Sequence, residues 1–220
     1  MSAQRRTPRD ERRRRLGQNF LRPEFADRLV ADADFQPGEL VVEIGAGLGA
    51  VTVALAHREI EVVAVEVDPI WAQRLRDRVR ESWRGRVRVV EADFLSFPLP
   101  TQPFRVVGSL PFRGTTEILR RLLDHPGVPL QRADVVVQWE VARKRAAVPP
   151  STLLSTVWVP WWEFRLGRRI PAAGFQPVPQ VDAAVLVVTR RDYPLLPPAM
   201  AASWAGFVRR HWPFDRGRVR

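Results

Sequence analysis

The stretch VVGSLPFRG, residues 106–114, runs an apolar segment into Gly108 and then turns on Ser109, Leu110, Pro111 and Phe112. One serine does not make a hydrolase, and no histidine or cysteine stands beside it. The corner offers a different chemistry. Ser109 supplies an oxygen. Leu110 precedes a proline and is pushed toward extended geometry, so its carbonyl can point out of a sheet. Pro111 has a fixed φ and no N–H to compete as a donor. Phe112 adds a ring for stacking. Two acceptors and an aromatic platform suit a flat, amino-bearing base, whose exocyclic nitrogen they hold in one plane and aim at an electrophile next door.

Three further stretches end in groups that can bind a ligand. In VVEIGAGLGAVTVALA, Gly45, Gly47 and Gly49 follow an apolar run and open a helical one. Glycines there permit a tight turn and a close approach of backbone N–H groups to a ligand. Glu66, in VAVEVDP, stands nineteen residues past Gly47, where a carboxylate can accept both hydroxyls of a ribose. Asp93 and Phe94, in EADFLSF, close a third run. Taken singly, the glycine turn also serves ordinary strand–helix packing, and Glu66 a solvated strand end. Taken together they suit a nucleoside, with the glycines at its tail, Glu66 at its sugar, Asp93 at its base and the Phe94 ring against that base.

Positioning these groups requires strands that end on one edge. Residues 40–44, 62–65, 87–90, 104–107 and 135–137 are short, β-branched and bounded by turn or polar residues. They read as strands buried on both faces. Residues 48–56, 69–83 and 115–123 have helical spacing. Alternation of this kind predicts an α/β fold with a doubly wound, mostly parallel sheet, whose ligands bind outside the carboxyl ends of the strands. Residues 153–166 and 183–188 follow each other without a convincing helix between them and predict an antiparallel pair closing one edge. Beyond residue 192 there is room for one amphipathic helix, with Met200, Trp204, Phe207, Val208 and His211 on one face.

The chain has 220 residues, 45% of them apolar, which suits one domain with a short appendage. It has no cysteine, which excludes disulfides, thiolate metal sites and a cysteine nucleophile. No metal site is expected. There is no signal peptide and no apolar run of bilayer length, so a cytoplasmic protein without membrane contact is expected. The net charge is +11, concentrated at the two ends in residues 1–15 and 204–220. Basic ends on a nearly neutral body suit phosphate contacts. Of 35 basic residues only Lys144 is lysine, a bias that composition alone can also produce. Arg143, Lys144 and Arg145 suit phosphate as well as a solvated face. Trp158, Trp161 and Trp162 are expected in the core or an interface.

In order along the chain stand LGQNFL (16–21), EIGAGLG (43–49), EVD (66–68), EADFL (91–95), SLPF (109–112), QWEVARKRAA (138–147) and FQPVPQVDAAV (175–185). As an ordered set they resemble the ribosomal RNA adenine-N6 methyltransferases, the group of the Erm macrolide-resistance enzymes and the KsgA dimethyltransferases. QWEVARKRAA and VWVPWWEF are closer to the actinobacterial Erm branch. The resemblance implies a Rossmann-like class I methyltransferase that uses S-adenosylmethionine to methylate an adenine of 23S rRNA and so confers macrolide–lincosamide–streptogramin resistance. It implies that Gln18 and Asn19 close over the cofactor, that Gly45 and Gly47 lie beneath its methionine part, that Glu66 holds the ribose and that Asp93 and Phe94 hold the adenine. Ser109, Leu110, Pro111 and Phe112 occupy the catalytic corner, and Phe175 matches the second aromatic that sandwiches the target base. The implied domains are a basic tail at 1–15, a methyltransferase domain at 16–191 and a helical, basic segment at 192–220. A monomer with rRNA as partner is expected.

Two departures stand out. The family corner usually begins with Asn, here Ser109, and most relatives carry a larger helical C-terminal domain. They motivate two alternatives, a small-subunit rRNA adenine dimethyltransferase and a non-catalytic rRNA-binding factor with the same fold. A nicotinamide-dependent oxidoreductase would use the glycine turn and Glu66, yet it leaves SLPF and LGQNFL without a role.

Overall fold

The computed structural model describes residues 19–83 and 85–212. Gln18 and the basic ends at 1–15 and 213–220 lie outside the described residues. Nine strands are found among the described residues. Seven form one sheet: β2 (Leu40–Ile44), β3 (Glu61–Glu66), β4 (Val87–Glu91), β5 (Phe104–Ser109), β6 (Leu130–Gln138), β7 (Trp162–Ile170) and β9 (Ala183–Arg190). Their order is β4-β3-β2-β5-β6-β9-β7. The first five are parallel, and β9 runs antiparallel to both β6 and β7. The crossover between the halves, from β4 past β2 to β5, puts a crevice at the carboxyl ends of β2 and β5.

Helices cover both faces. On one side lie α1 (Pro23–Ala33), α2 (Ala50–Ala56) and α3 (Pro69–Ser82). Their Leu29, Val30, Val51, Leu55, Leu75 and Val79 pack on Val41, Val62 and Val107 of the sheet. On the other lie α4 (Thr115–Leu123), α5 (Trp139–Arg145), α6 (Leu153–Trp158) and α7 (Ala201–His211), with Leu119, Leu122 and Trp158 against Val106, Val135 and Leu186. The central strands present apolar side chains to both layers, which is why they read as continuous β-branched runs. α3 starts where the Asp68 side chain accepts the Ile70 N–H at 2.9 Å and Pro69 pre-sets the first turn.

Several features differ from the sequence expectation. Residues 153–166 divide into α6 and β7, because Thr152 caps a helix by accepting the Ser155 N–H at 3.1 Å and Pro160 precedes the strand. Helix α1 was not foreseen. It carries Ala26, Leu29, Val30 and Ala33 at helical spacing, all buried. Its C-terminal carbonyls are capped from the sheet by Arg105, which donates to Ala33 and Asp34. The three tryptophans at 158, 161 and 162 are in the core, as expected, at 2% exposure or less. In α7 the expected single face divides. Val208 is buried and Trp204 Nε1 donates to Thr156 C=O, while Phe207 stays exposed in a stack with Trp204 and His211. No helix of the described residues is long and apolar enough to cross a membrane.

The remaining strands, β1 (Phe20–Leu21) and β8 (Phe175–Gln176), pair antiparallel, Phe20 with Gln176 and Leu21 with Phe175. This short clasp lays the segment entering α1 across the loop between β7 and β9, and so brings Asn19 and Phe20 over the strand tips.

Candidate active site

At the end of β2 the chain turns through Gly45, Ala46 and Gly47. The Gly45 and Ala46 N–H groups donate to Val65 C=O at 2.9 and 3.2 Å. The Gly47 N–H donates to Glu66 Oε2 at 2.7 Å, and the Asp68 N–H donates to Glu66 Oε1 at 2.8 Å. Glu66 is only 4% exposed. Burial pushes its carboxyl up from the ordinary range, and the two backbone donors pull against that shift. Gly47 has φ +52, and a Cβ there would lie 2.8 Å from the Phe20 ring. Phe20 is held in turn by an edge contact with Trp71, 5.3 Å between centroids.

The tip of β5 approaches β2 still more closely. Gly108 has φ +152, and a Cβ would fall 2.4 Å from Ile44 O. Only glycine fits between the strands, and the next residue, Ser109, emerges half-buried at the edge. The Leu110 N–H donates to Val136 C=O at 3.0 Å, and the Leu110 side chain is buried. Among the described residues no donor reaches the Leu110 carbonyl. The Pro111 carbonyl accepts from the Gly114 N–H and the Thr115 hydroxyl, both at 3.0 Å. That turn starts α4 and fixes Phe112 at the rim.

These two tips share one cleft of about 490 Å³, its open mouth included. Gly45, Gly47, Glu66 and Val67 form the floor, Asn19 and Phe20 one wall, and residues 109–112 the other. Of the expected cofactor residues, Asn19, Gly45, Gly47, Glu66 and Ser109 therefore meet in one space, together with Leu110, Pro111 and Phe112. Asp93 lies at the tip of the neighbouring β4, exposed, with Oδ1 accepting the Leu95 N–H at 2.9 Å. The expected use of the Phe94 ring is corrected. The turn begun by Asp93 points that ring inward, where it is 5% exposed and stacks on Phe97 at 6.3 Å. Phe175 is fully buried and meets Phe112 edge to face, 6.2 Å between centroids. Only Phe112 of the pair faces the cleft, so a base held between the two rings requires them to part.

Three residues in or behind the site were not singled out in the sequence. Val67 is 47% exposed on the cleft floor, and an apolar side chain at a solvated strand end was its signal. Phe20 was read only as part of its motif. Glu43, next to the glycine turn, is 1% exposed and accepts the Thr52 hydroxyl at 2.6 Å. Burial, with the charge of Glu66 added, pushes its carboxyl up to about 7. A lone carboxylate in the apolar strand LVVEI was visible, but its burial was not.

The sheet order β4-β3-β2-β5-β6-β9-β7, with β9 inserted antiparallel between β6 and β7, is that of a methyltransferase fold. The profile of the family described as ribosomal RNA adenine dimethylase matches residues 9–218. An rRNA adenine N-6-methyltransferase of Corynebacterium diphtheriae is 41% identical over 82% of this chain and 70% of its own length. The mycinamicin-resistance protein MyrB of Micromonospora griseorubida is 39% identical over 92% of this chain and 64% of its own. The crystal structure of the 23S rRNA methyltransferase ErmE superposes with a TM-score of 0.76 at 32% identity, covering 87% of this chain and 78% of that one. The chain thus belongs to the ribosomal RNA adenine dimethylase family, and it spans about two thirds of the length of the two curated relatives.

Proposed function

We propose that this chain transfers methyl groups from S-adenosylmethionine to N6 of an adenine in 23S rRNA, and that this modification confers resistance to macrolide-type drugs. The observation that carries the reading is that the glycine turn, Glu66 and the 109–112 corner line one cleft. The large-subunit assignment is supported by the likeness to ErmE and to a mycinamicin-resistance protein.

The residues present fit the cofactor. Each carboxylate oxygen of Glu66 spends one lone pair on a backbone N–H and keeps another for a ribose hydroxyl. Val67 offers an apolar surface to a purine, and Asp93 has acceptor capacity left for an amino group. The bare backbone at Gly45 and Gly47 admits the methionine part, with Asn19 above it. Once bound, S-adenosylmethionine supplies an electrophilic methyl group on a sulfonium.

The chain's own task is positioning and electrostatics. The adenine N6 lone pair is delocalised into its ring. Accepting the two N6 hydrogens at Ser109 Oγ and at the Leu110 carbonyl favours a more tetrahedral nitrogen whose lone pair points into the cleft. Phe112 stacks on the base and fixes its plane. No strong base is required, because the nitrogen becomes acidic on alkylation and its proton can pass to solvent water at the open mouth of the cleft. A paired adenine cannot reach this corner, so the target is unpaired or flipped, and stacking worth about 1–3 kcal/mol per base offsets that cost.

The same reading takes residues 16–191 as the catalytic domain, and 1–15 and 192–220 as basic RNA-contacting ends of a cytoplasmic monomer. Incubation with methyl-labelled S-adenosylmethionine and undermethylated 23S or 16S rRNA tests it. Label in 23S rRNA is expected, and label confined to 16S rRNA, or none, refutes it.

A further inference from the structure

We propose that Arg169, backed by Trp139, is a stacking platform for an unpaired nucleobase of the rRNA beside the target adenine. The proposal rests on the function proposed above and adds a residue that positions the RNA. Its place follows from the sheet. Ser109 is in register with Val136 of β6, Gln138 with Ala183 of β9, and Ala184 of β9 with Arg169 of β7. Arg169 therefore sits on the same edge as the catalytic corner, three strand spacings away, about 14 Å at ~4.8 Å each.

The guanidinium is held on two sides. Its Nε and Nη2 both donate to Asp182 Oδ2, at 3.0 and 2.7 Å. Its Cζ lies over the Trp139 ring, 4.8 Å from the centroid. Asp182 is anchored in turn, with Oδ1 accepting the Ala172 N–H at 2.9 Å and its carbonyl accepting the Trp139 N–H at 2.9 Å. The Arg169 side chain is nonetheless 60% exposed. The guanidinium thus stays accessible beside Trp139 and Asp182, and the side turned away from Trp139 is the one a ligand can reach.

The choice of a base over a phosphate follows from charge. The Arg169 cation is matched by Asp182, so little net charge remains to attract an anion. What remains is a rigid π-faced plane, oriented before the RNA arrives and so cheap in entropy. Such a plane stacks any base. The nucleotide it takes is one that already leaves the helix next to the extruded adenine.

A double-mutant cycle tests this with the full chain and a 23S rRNA fragment that the wild type methylates. The fragment is prepared intact and with single abasic sites at each unpaired nucleotide flanking the target. Arg169→Lys keeps the charge and can keep the Asp182 ion pair, but has no plane. The expected result is that Arg169→Lys weakens binding of the intact fragment about tenfold. One abasic site should cost the wild type a similar factor and cost Arg169→Lys almost nothing, with cofactor affinity and the salt dependence of RNA binding unchanged. If all abasic costs are equal in the two proteins, or Arg169→Lys binds like wild type, the platform is refuted while the proposed function stands. If the wild type methylates no 23S fragment, both fall. Should Arg169→Lys fold poorly, Trp139→Leu removes the backing ring and completes the same cycle.

Discussion

Glu66 Oε2 accepts the Gly47 N–H at 2.7 Å, so one carboxylate ties the glycine turn after β2 to the tip of β3. Its other oxygen accepts the Asp68 N–H. The ribose ligand proposed here is therefore also the clamp that shapes the loop beside it.

Replacing Glu66 with Gln turns one of these acceptors into a donor and leaves a backbone N–H facing it. A hydrogen bond to a charged group is worth about 1.5–3 kcal/mol. S-adenosylmethionine should bind Glu66→Gln at least about tenfold more weakly by calorimetry. An unchanged dissociation constant would remove Glu66 from the binding site.

Glu43 makes stability depend on pH. Its carboxyl is raised to about 7 in the folded chain, against an ordinary 4.5. Between those values the folded state holds a proton that the unfolded state has lost. The stabilisation is full below about pH 4.5 and is lost as pH rises through 7, on the order of 3 kcal/mol. Glu43→Gln keeps the neutral form at every pH, so its urea midpoint should gain on wild type from about pH 5 to about pH 7 and level off above that. Parallel curves for the two proteins across that range would show that Glu43 does not titrate as its burial implies.

Ser109 stands where the resemblance leads one to expect an asparagine. If its oxygen accepts an N6 hydrogen, Ser109→Ala loses one ordinary hydrogen bond, about 0.5–1.5 kcal/mol, and kcat falls roughly tenfold. Ser109→Asn should keep or raise the rate. Collapse of methyl transfer in Ser109→Asn would assign Ser109 a different role.

Two glycines should respond differently to Ala. At Gly108 the new methyl meets backbone, Ile44 O at 2.4 Å, and backbone cannot step aside. Gly108→Ala should destabilise by more than about 1–3 kcal/mol and lower the melting temperature sharply. At Gly47 the φ of +52 costs an alanine about 1–2 kcal/mol, but the methyl meets the Phe20 ring at 2.8 Å, a side chain that can give where backbone cannot. Gly47→Ala should lose cofactor affinity well before it loses stability. Equal melting temperatures for the two variants would contradict the packing described at β5.

Much of this site was legible in the sequence because strand ends are written locally. Gly47, Glu66, Asp93 and the 109–112 corner each close an apolar run, and a parallel sheet puts such ends on one edge. What escaped depended on distant partners. Glu43 looks like any strand residue until Thr52 and the buried sheet define its surroundings. Phe20 meets Gly47 only because β1 pairs with β8. Phe94 follows Asp93 directly, and only the turn geometry sends one outward and the other into the core. Helix α1 was missed although its apolar spacing was present, since its C-terminal cap comes from Arg105, far along the chain.

The central claim is that one cleft brings a methyl donor to the amino group of an extruded adenine. Primer extension across 23S rRNA treated with this chain and S-adenosylmethionine, followed by nucleoside analysis of the modified site, tests it most directly. The account predicts N6 methylation at a single unpaired adenine, seen by nucleoside analysis and, where two methyl groups are added, as a primer-extension stop, and reduced together with cofactor affinity in Glu66→Gln. Methylation of a different base or a different atom, or label undiminished in Glu66→Gln, would contradict it.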